Sequence, residues 1–101
     1  FNHYAYGAVL AWMHGTMAGI REDVASPGFK HFVLAPIPDK RVGHVSAQYD
    51  CAYGTIRSSW SYGENGTWTW TFTIPANTTA TVTVPGGETK EYTSGSYTVV
   101  R

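Results

Sequence analysis

Cysteine is scarce in this chain of 101 residues, because Cys51 is the only one. A single thiol excludes an internal disulfide framework and gives no thiol pair for a metal, so we interpret Cys51 as a buried or edge thiol. The cellular location stays open. Charge is scarce too, with Lys and Arg numbering 7 and Asp and Glu numbering 7, and no basic run stands out. We therefore expect no nucleic-acid partner and no binding to anionic membranes.

A long apolar run is also missing. The longest uncharged stretch runs from Phe1 to Ile20 and is interrupted by Asn2, His3, His14, Gly15 and Thr16. It has no basic start and no cleavage-site pattern, so it matches neither a membrane span nor a secretion signal.

The same stretch predicts an α-helix from Tyr4 to about Ile20. Its apolar residues recur at spacings of three and four, at Tyr6, Val9, Leu10, Trp12, Met13, Met17 and Ile20. Alanines fill the positions between them, so the helix is apolar or small on nearly every face. Such a helix is normally buried on nearly every face. Because no initiator methionine precedes Phe1, we expect its packing partners to lie upstream.

The spacing of apolar residues changes after residue 27. Arg21 to Pro27 is polar and typical of a linker, and short runs rich in aromatic and β-branched residues follow it, separated by turn residues. We predict a mainly β fold, an antiparallel β-sandwich of about seven strands preceded by one N-terminal α-helix. The predicted strands are Gly28 to Leu34, Val42 to Tyr49, Thr55 to Tyr62, Thr67 to Ile74, Thr79 to Val84, Thr89 to Tyr92 and Ser96 to Val100.

The strand pattern is clearest where Trp68, Trp70, Phe72 and Ile74 alternate with threonines. This alternation predicts one apolar and one polar face. Asn65-Gly66 is a two-residue hairpin signal, and Pro75-Ala76-Asn77 and Pro85-Gly86-Gly87 are turn signals.

The three tryptophans of this region admit two interpretations. Trp60, Trp68 and Trp70 could form an exposed platform on which sugar rings stack, as in a free-standing carbohydrate-binding module. Their alternation favours the inner face of a sheet instead, and we expect them in the core.

Several motifs carry a resemblance to a known family. They are Phe1-Asn2-His3-Tyr4-Ala5-Tyr6-Gly7-Ala8-Val9, Ala18-Gly19-Ile20, Pro27-Gly28-Phe29-Lys30-His31-Phe32, Gly43-His44-Val45-Ser46-Ala47, Tyr53-Gly54 and Thr73-Ile74-Pro75-Ala76-Asn77-Thr78-Thr79-Ala80-Thr81-Val82. In order and spacing the chain resembles the C-terminal end of the α-L-rhamnosidases of glycoside hydrolase family 78. The resemblance implies two parts, with residues 1–27 the terminal helix of an (α/α)6 catalytic barrel and its linker, and residues 28–101 a C-terminal β-sandwich.

The resemblance also implies an activity of the parent enzyme, the removal of terminal α-L-rhamnose from glycosides with inversion. Inversion needs an acid and a base, both carboxyl groups, which lie roughly 6.5 to 9.5 Å apart. In the family these belong to barrel segments upstream of Phe1. The carboxylates present, Glu22, Asp23, Asp39, Asp50, Glu64, Glu88 and Glu91, match no catalytic motif of the family. We therefore expect no catalytic residue in this chain, no activity of the chain alone, and a role as a brace for the upstream barrel.

One binding residue carries over by the resemblance. His3 matches a histidine that hydrogen-bonds the rhamnose, a task suited to a ring that can donate from one nitrogen and accept at the other. The alternative is that His3 only begins the helix. His14, His31 and His44 lack the spacing of a zinc site, so we expect no metal, and no cofactor is implied. The unpartnered apolar helix further raises the possibility of a homodimer.

Overall fold

The computed structural model describes residues 17–23, 25 and 28–101. Most of the expected helix, including the face formed by Tyr6, Val9 and Trp12, lies outside these residues. Met17 and Ala18 have helical backbone, whereas Ile20 already belongs to a strand. Within the described ranges, no helix has the length and apolar character needed to cross a membrane.

The described part of the chain is mainly β, as predicted, and contains six strands. They are β1 (Ile20–Glu22), β2 (His31–Leu34), β3 (His44–Cys51), β4 (Gly54–Tyr62), β5 (Trp68–Thr83) and β6 (Thr89–Val100). The prediction of about seven strands is corrected in two ways. The last four predicted strands are joined in pairs into two long strands, β5 and β6. In addition, β1 occupies part of the segment for which the end of the helix and a linker are predicted.

The six strands form one nearly closed sheet in the order β1-β2-β5-β4-β3, with β6 also paired to β5. The pairing is not wholly antiparallel, because β2 runs parallel to β5, with His31 opposite Thr79 and Leu34 opposite Val82. The expected antiparallel sandwich is therefore corrected to a mixed sheet that folds over a single core.

A bend in β5 allows one sheet to cover both sides of the core. Pro75-Ala76-Asn77 was expected to reverse the chain, but β5 continues through it and only its register with β6 shifts, between Ile74 and Thr79. Asn77 has a φ of 64°, and the Thr78 hydroxyl donates to the Pro75 carbonyl at 2.7 Å, so the bend satisfies its polar groups locally. The first part of β5 pairs with β4 and the second with β2.

The hairpin between β4 and β5 confirms the predicted pairing but has a longer connection. Tyr62 pairs with Trp68, so residues 63–67 form the loop instead of Asn65-Gly66 alone. The Gly63 amide donates to the Thr67 carbonyl at 2.7 Å, and Gly66 has a φ of 81°. The glycine therefore supplies the left-handed backbone that the turn requires.

The core lies between the two halves of the bent sheet, and the three tryptophans are in it. Trp60, Trp68 and Trp70 are 2%, 4% and 0% exposed, so the core interpretation is confirmed for all three. The largest fully buried side chains are Trp70, Phe32, Phe72, Leu34, Ile56, Ile74, Val82 and Ser58. Cys51 is a free, half-buried thiol beside this core on β3.

Candidate functional site

The predicted site residue, His3, lies outside the described residues, as do Asn2 and His14. The structure therefore places no part of the expected rhamnose contact. It does show how the segment that follows these residues is attached to the sheet, and this attachment is the strongest candidate for a functional site. We call it the anchor, and it consists of Met17, Ala18 and Gly19 together with Ser58, Trp60 and Trp70.

The anchor holds three successive backbone carbonyls. The Met17 carbonyl accepts from the Trp60 Nε1–H and from the Ile37 amide, each at 2.9 Å. The Ala18 carbonyl accepts from the Ser58 hydroxyl at 2.6 Å. The Gly19 carbonyl accepts from the Ala35 amide at 2.9 Å, and β1 begins one residue later. The chain thus enters the sheet with each carbonyl bound by a different group.

Ser58 is the centre of the anchor. Its hydroxyl donates to Ala18 and accepts from the Trp70 Nε1–H at 2.9 Å, and its side chain is 0% exposed. Both donor and acceptor capacity are used in a dry interior, where an unpaired polar group is costly. Sequence reasoning missed this residue, although Ile56, Ser58 and Trp60 alternate on the inward face of β4. A serine at an inward position was the available signal.

Replacing Ser58 with alanine is expected to lower the free energy of unfolding by about 1–3 kcal/mol, because the Trp70 Nε1–H and the Ala18 carbonyl both lose their partner. Ser61 is exposed on the same strand and makes a matched control, so Ser61→Ala is expected to change stability by no more than about 0.5 kcal/mol. Urea unfolding of the two variants measures the difference. Equal effects would show that the buried hydroxyl contributes nothing specific.

A second polar cluster lies on the outer face, around His31. Its Nδ1 is 2.6 Å from the Thr79 hydroxyl oxygen and its Nε2 is 2.9 Å from that of Thr81. The Thr81 hydroxyl donates to Glu91, so its oxygen accepts the Nε2 proton of His31. The carboxylates of Asp23 and Glu91 lie 3.9 Å and 3.7 Å from Nε2. The cluster connects β2, β5 and β6 by side-chain hydrogen bonds.

Most of the described carboxylates have local structural partners. Asp39 accepts from the Arg41 side chain at 2.8 and 3.1 Å and from its backbone amide at 2.9 Å, and these hydrogen bonds hold the pKa of Asp39 below its usual value. Asp50 accepts from Thr55 at 2.8 Å. Across residues 17–23, 25 and 28–101, no group of three or more His, Cys, Asp or Glu side chains is arranged to hold a metal ion.

A shallow cavity of about 560 Å³ lies on the outer face of β3, β4 and β5. It is lined by His44, Val45, Ser46, Ser59, Trp60, Ser61, Thr69 and Thr71. This lining has no carboxylate, so the cavity offers no acid and base for glycoside hydrolysis.

Comparison with known proteins decides the family. The family model described as the bacterial alpha-L-rhamnosidase C-terminal domain matches residues 19–98, which include Gly19, Ser58, Trp60 and Trp70 of the anchor. The chain belongs to this family. The resemblance inferred from the motifs is thereby confirmed for this rhamnosidase C-terminal domain.

Individual relatives of this rhamnosidase C-terminal domain agree. An alpha-L-rhamnosidase of Formosa agariphila is 39% identical over 84 residues, which cover 83% of this chain and 9% of the relative. One of Streptomyces avermitilis is 33% identical over 99 residues, covering 96% of this chain and 9% of the relative. The chain thus spans about a tenth of the length of these enzymes.

Solved structures give the same picture. The native rhamnosidase of Aspergillus terreus superimposes with a TM-score of 0.83 at 29% identity, covering 99% of this chain and 12% of that one. The Streptomyces avermitilis enzyme, solved with L-rhamnose, gives a TM-score of 0.79 at 28% identity, with 100% and 11% covered. The domain fold is therefore shared with segments of much longer rhamnosidases.

Proposed function

We propose that this chain is a non-catalytic part of an α-L-rhamnosidase, and that it stabilises the catalytic barrel formed by the preceding polypeptide. The observation that supports the proposal is the anchor. The last residues before the sheet are bound through three successive carbonyls, so the segment that leads out of a barrel helix is fixed in position and direction.

We infer further that the parent enzyme removes terminal α-L-rhamnose from glycosides with inversion. The family membership and the named relatives support this substrate class. In this proposal the acid and base lie upstream, because the carboxylates of this chain match no catalytic motif of the family and most of those described have local structural partners. His3 would contribute to the rhamnose pocket of the parent as a hydrogen-bonding residue, with Asn2 holding the local backbone or the ring itself.

The division of the chain into residues 1–27 and 28–101 is kept as a proposal with one refinement. The family model begins at residue 19, and β1 pairs antiparallel with β2 through Ile20 and Leu34. We therefore propose that the structural part of the β domain starts at the anchor, while the barrel helix precedes it.

The proposal predicts no turnover by the 101-residue chain and a stabilising effect in the parent. The purified chain is expected to release no p-nitrophenol from p-nitrophenyl α-L-rhamnopyranoside. The parent enzyme is expected to lose activity faster on heating when residues 19–101 are removed, because the last barrel helix then ends unattached. Turnover by the chain, or an unchanged thermal half-life of the truncated parent, would contradict the proposal.

The alternative of a free-standing carbohydrate-binding module has less support. Its expected platform, Trp60, Trp68 and Trp70, is buried in the core. A homodimer through the N-terminal helix remains a proposal, since that helix lies outside the described residues.

A further inference from the structure

Four residues form a partly exposed patch where the turn before β2 meets the end of β3 and the turn that follows it. We call it the aromatic patch, and it consists of Phe29, Lys30, Tyr49 and Tyr53. The Tyr49 and Tyr53 side chains are 47% and 40% exposed. The Phe29 and Tyr49 rings are 4.5 Å apart between centroids, and the Lys30 ammonium lies 5.7 Å from the centroid of Tyr53. Clustered aromatic side chains of this kind differ from the single exposed apolar residues common on any surface.

The aromatic patch is held rigidly by the bend in β5. The Thr79 amide donates to the Lys30 carbonyl at 3.1 Å, which fixes the turn before β2 to the strand just after the bend. On the other side, a Cβ placed on Gly54 would lie 3.0 Å from the Pro75 Cβ, so the β3–β4 turn packs closely on the bend itself. A rigid surface loses little conformational entropy when it binds, which favours recognition.

Phe29 has a backbone conformation that a phenylalanine rarely adopts. Its φ is 67° and follows a φ of 86° at Gly28, a combination for which glycine or asparagine is suited at both positions. The ring extends from the core, 6.3 Å from Phe32, to the exposed Tyr49. Residues in such conformations cost free energy and cluster at functional sites, so the backbone of Phe29 is consistent with a function for its ring.

Lys30 adds an unpaired positive charge. Among the described residues no carboxylate forms an ion pair with its ammonium, and the side chain lies on the surface. A partner with an apolar surface and a carboxylate at its edge would therefore match the aromatic patch in both polarity and charge.

We propose that the aromatic patch is the surface on which the upstream catalytic part of the same polypeptide docks, with a carboxylate of that part opposite Lys30. This inference rests on the proposed function. Two observations select the occupant. About nine-tenths of each relative lies outside the matched segment, and the match to solved rhamnosidases covers 99% and 100% of this chain, the aromatic patch included. Tyrosine is also enriched among the residues that carry binding energy at protein interfaces.

Hydroxyl-radical footprinting of the isolated chain and of the intact parent enzyme tests the proposal. Oxidation of Tyr49 and Tyr53 is expected to fall severalfold in the parent, because the core of an interface is buried from solvent. The double variant Tyr49→Ala/Tyr53→Ala should shorten the thermal half-life of parent activity by at least about fivefold. In the isolated chain it should lower the unfolding midpoint by only a few degrees, the cost of the lost contact between Phe29 and Tyr49. The matched control is Val100→Ala, since Val100 is 55% exposed on β6, away from the aromatic patch. It should change neither quantity.

The outcomes separate this inference from the function on which it rests. If removal of residues 19–101 leaves the parent unaffected, the bracing function fails. If removal destabilises the parent but Tyr49 and Tyr53 stay as reactive as in the isolated chain, the bracing function stands and the aromatic patch is not the docking surface. Protection that appears only when a rhamnoside is added would overturn the proposal in favour of a sugar site.

Discussion

Trp70→Ala is expected to lower the free energy of unfolding by about 3–5 kcal/mol, the range for removing a large buried aromatic side chain. Trp70 is 0% exposed and lies between Trp68 and Phe72, with ring centroids 5.9 Å and 4.4 Å away. Its loss creates a cavity in the core beside the first part of β5 and also removes the hydrogen-bond donor to Ser58. Since the free energy of unfolding of domains of this size is about 5–15 kcal/mol in total, the loss is a large fraction of it, and the thermal midpoint should fall clearly. Thermal unfolding followed by near-ultraviolet circular dichroism measures the effect.

Trp70→Phe separates the two contributions. Phenylalanine keeps much of the ring volume but cannot donate to Ser58, so a cost of about 1–2 kcal/mol is expected. If Trp70→Ala lowers the free energy of unfolding by less than about 1 kcal/mol, Trp70 does not lie at the centre of the core.

Gly19→Ala is the second change with a large expected effect. Gly19 has a φ of 81°, and a Cβ at this position would lie 2.3 Å from the Ala35 carbonyl carbon and 2.4 Å from the Pro36 nitrogen. These are backbone atoms, so no side-chain rotation can relieve the overlap. The chain must move away from residues 35 and 36, which breaks the hydrogen bond between the Gly19 carbonyl and the Ala35 amide. We expect a loss above about 3 kcal/mol, in the tail of measured single-residue effects.

Gly86→Ala is the matched control for this prediction. Gly86 has a φ of 69°, and nothing lies within 4 Å of a Cβ placed there. The alanine at position 86 therefore has an unfavourable backbone conformation but no steric overlap. We expect Gly86→Ala to lower the free energy of unfolding by roughly 1–2 kcal/mol. Chemical denaturation of both variants compares them. Similar losses would mean that the close approach at residue 35 is not important for stability.

The alternation of side chains predicted the buried faces well because period-two patterns depend only on local chain geometry. Trp68, Trp70 and Phe72 are buried, and the threonines between them are exposed or half-buried. The pairing of β4 with β5 also followed from the turn residues between them.

The course of β5 could not be predicted in the same way. Pro75-Ala76-Asn77 has the composition of a reversing turn, and whether the chain reverses or only bends is decided by distant partners. Here β6 pairs along both parts of β5, and β2 pairs parallel with the second part. Parallel pairing joins residues 48 positions apart, such as His31 and Thr79, and leaves no signal in the residues between them.

The candidate site was predictable only in part. The sequence predicted a helix that ends near Ile20 and a linker that runs to Pro27, but it showed neither the strand β1 nor the carbonyls that the sheet binds. Backbone carbonyls are the same at every residue, so an anchor built on them cannot be recognised from side-chain types. Only the inward serine at Ser58 marked its position.

The strands β5 and β6 also make the two halves of the sheet respond to force as one body. Because β5 and β6 belong to both halves of the sheet, neither half has a complete set of partners without the other. A pull on the polypeptide ahead of Met17 is transmitted from β1 through β2 into β5, the longest strand, and so is spread over the whole sheet. The domain would thus move as one unit against the larger barrel that we propose precedes it, although it is small itself.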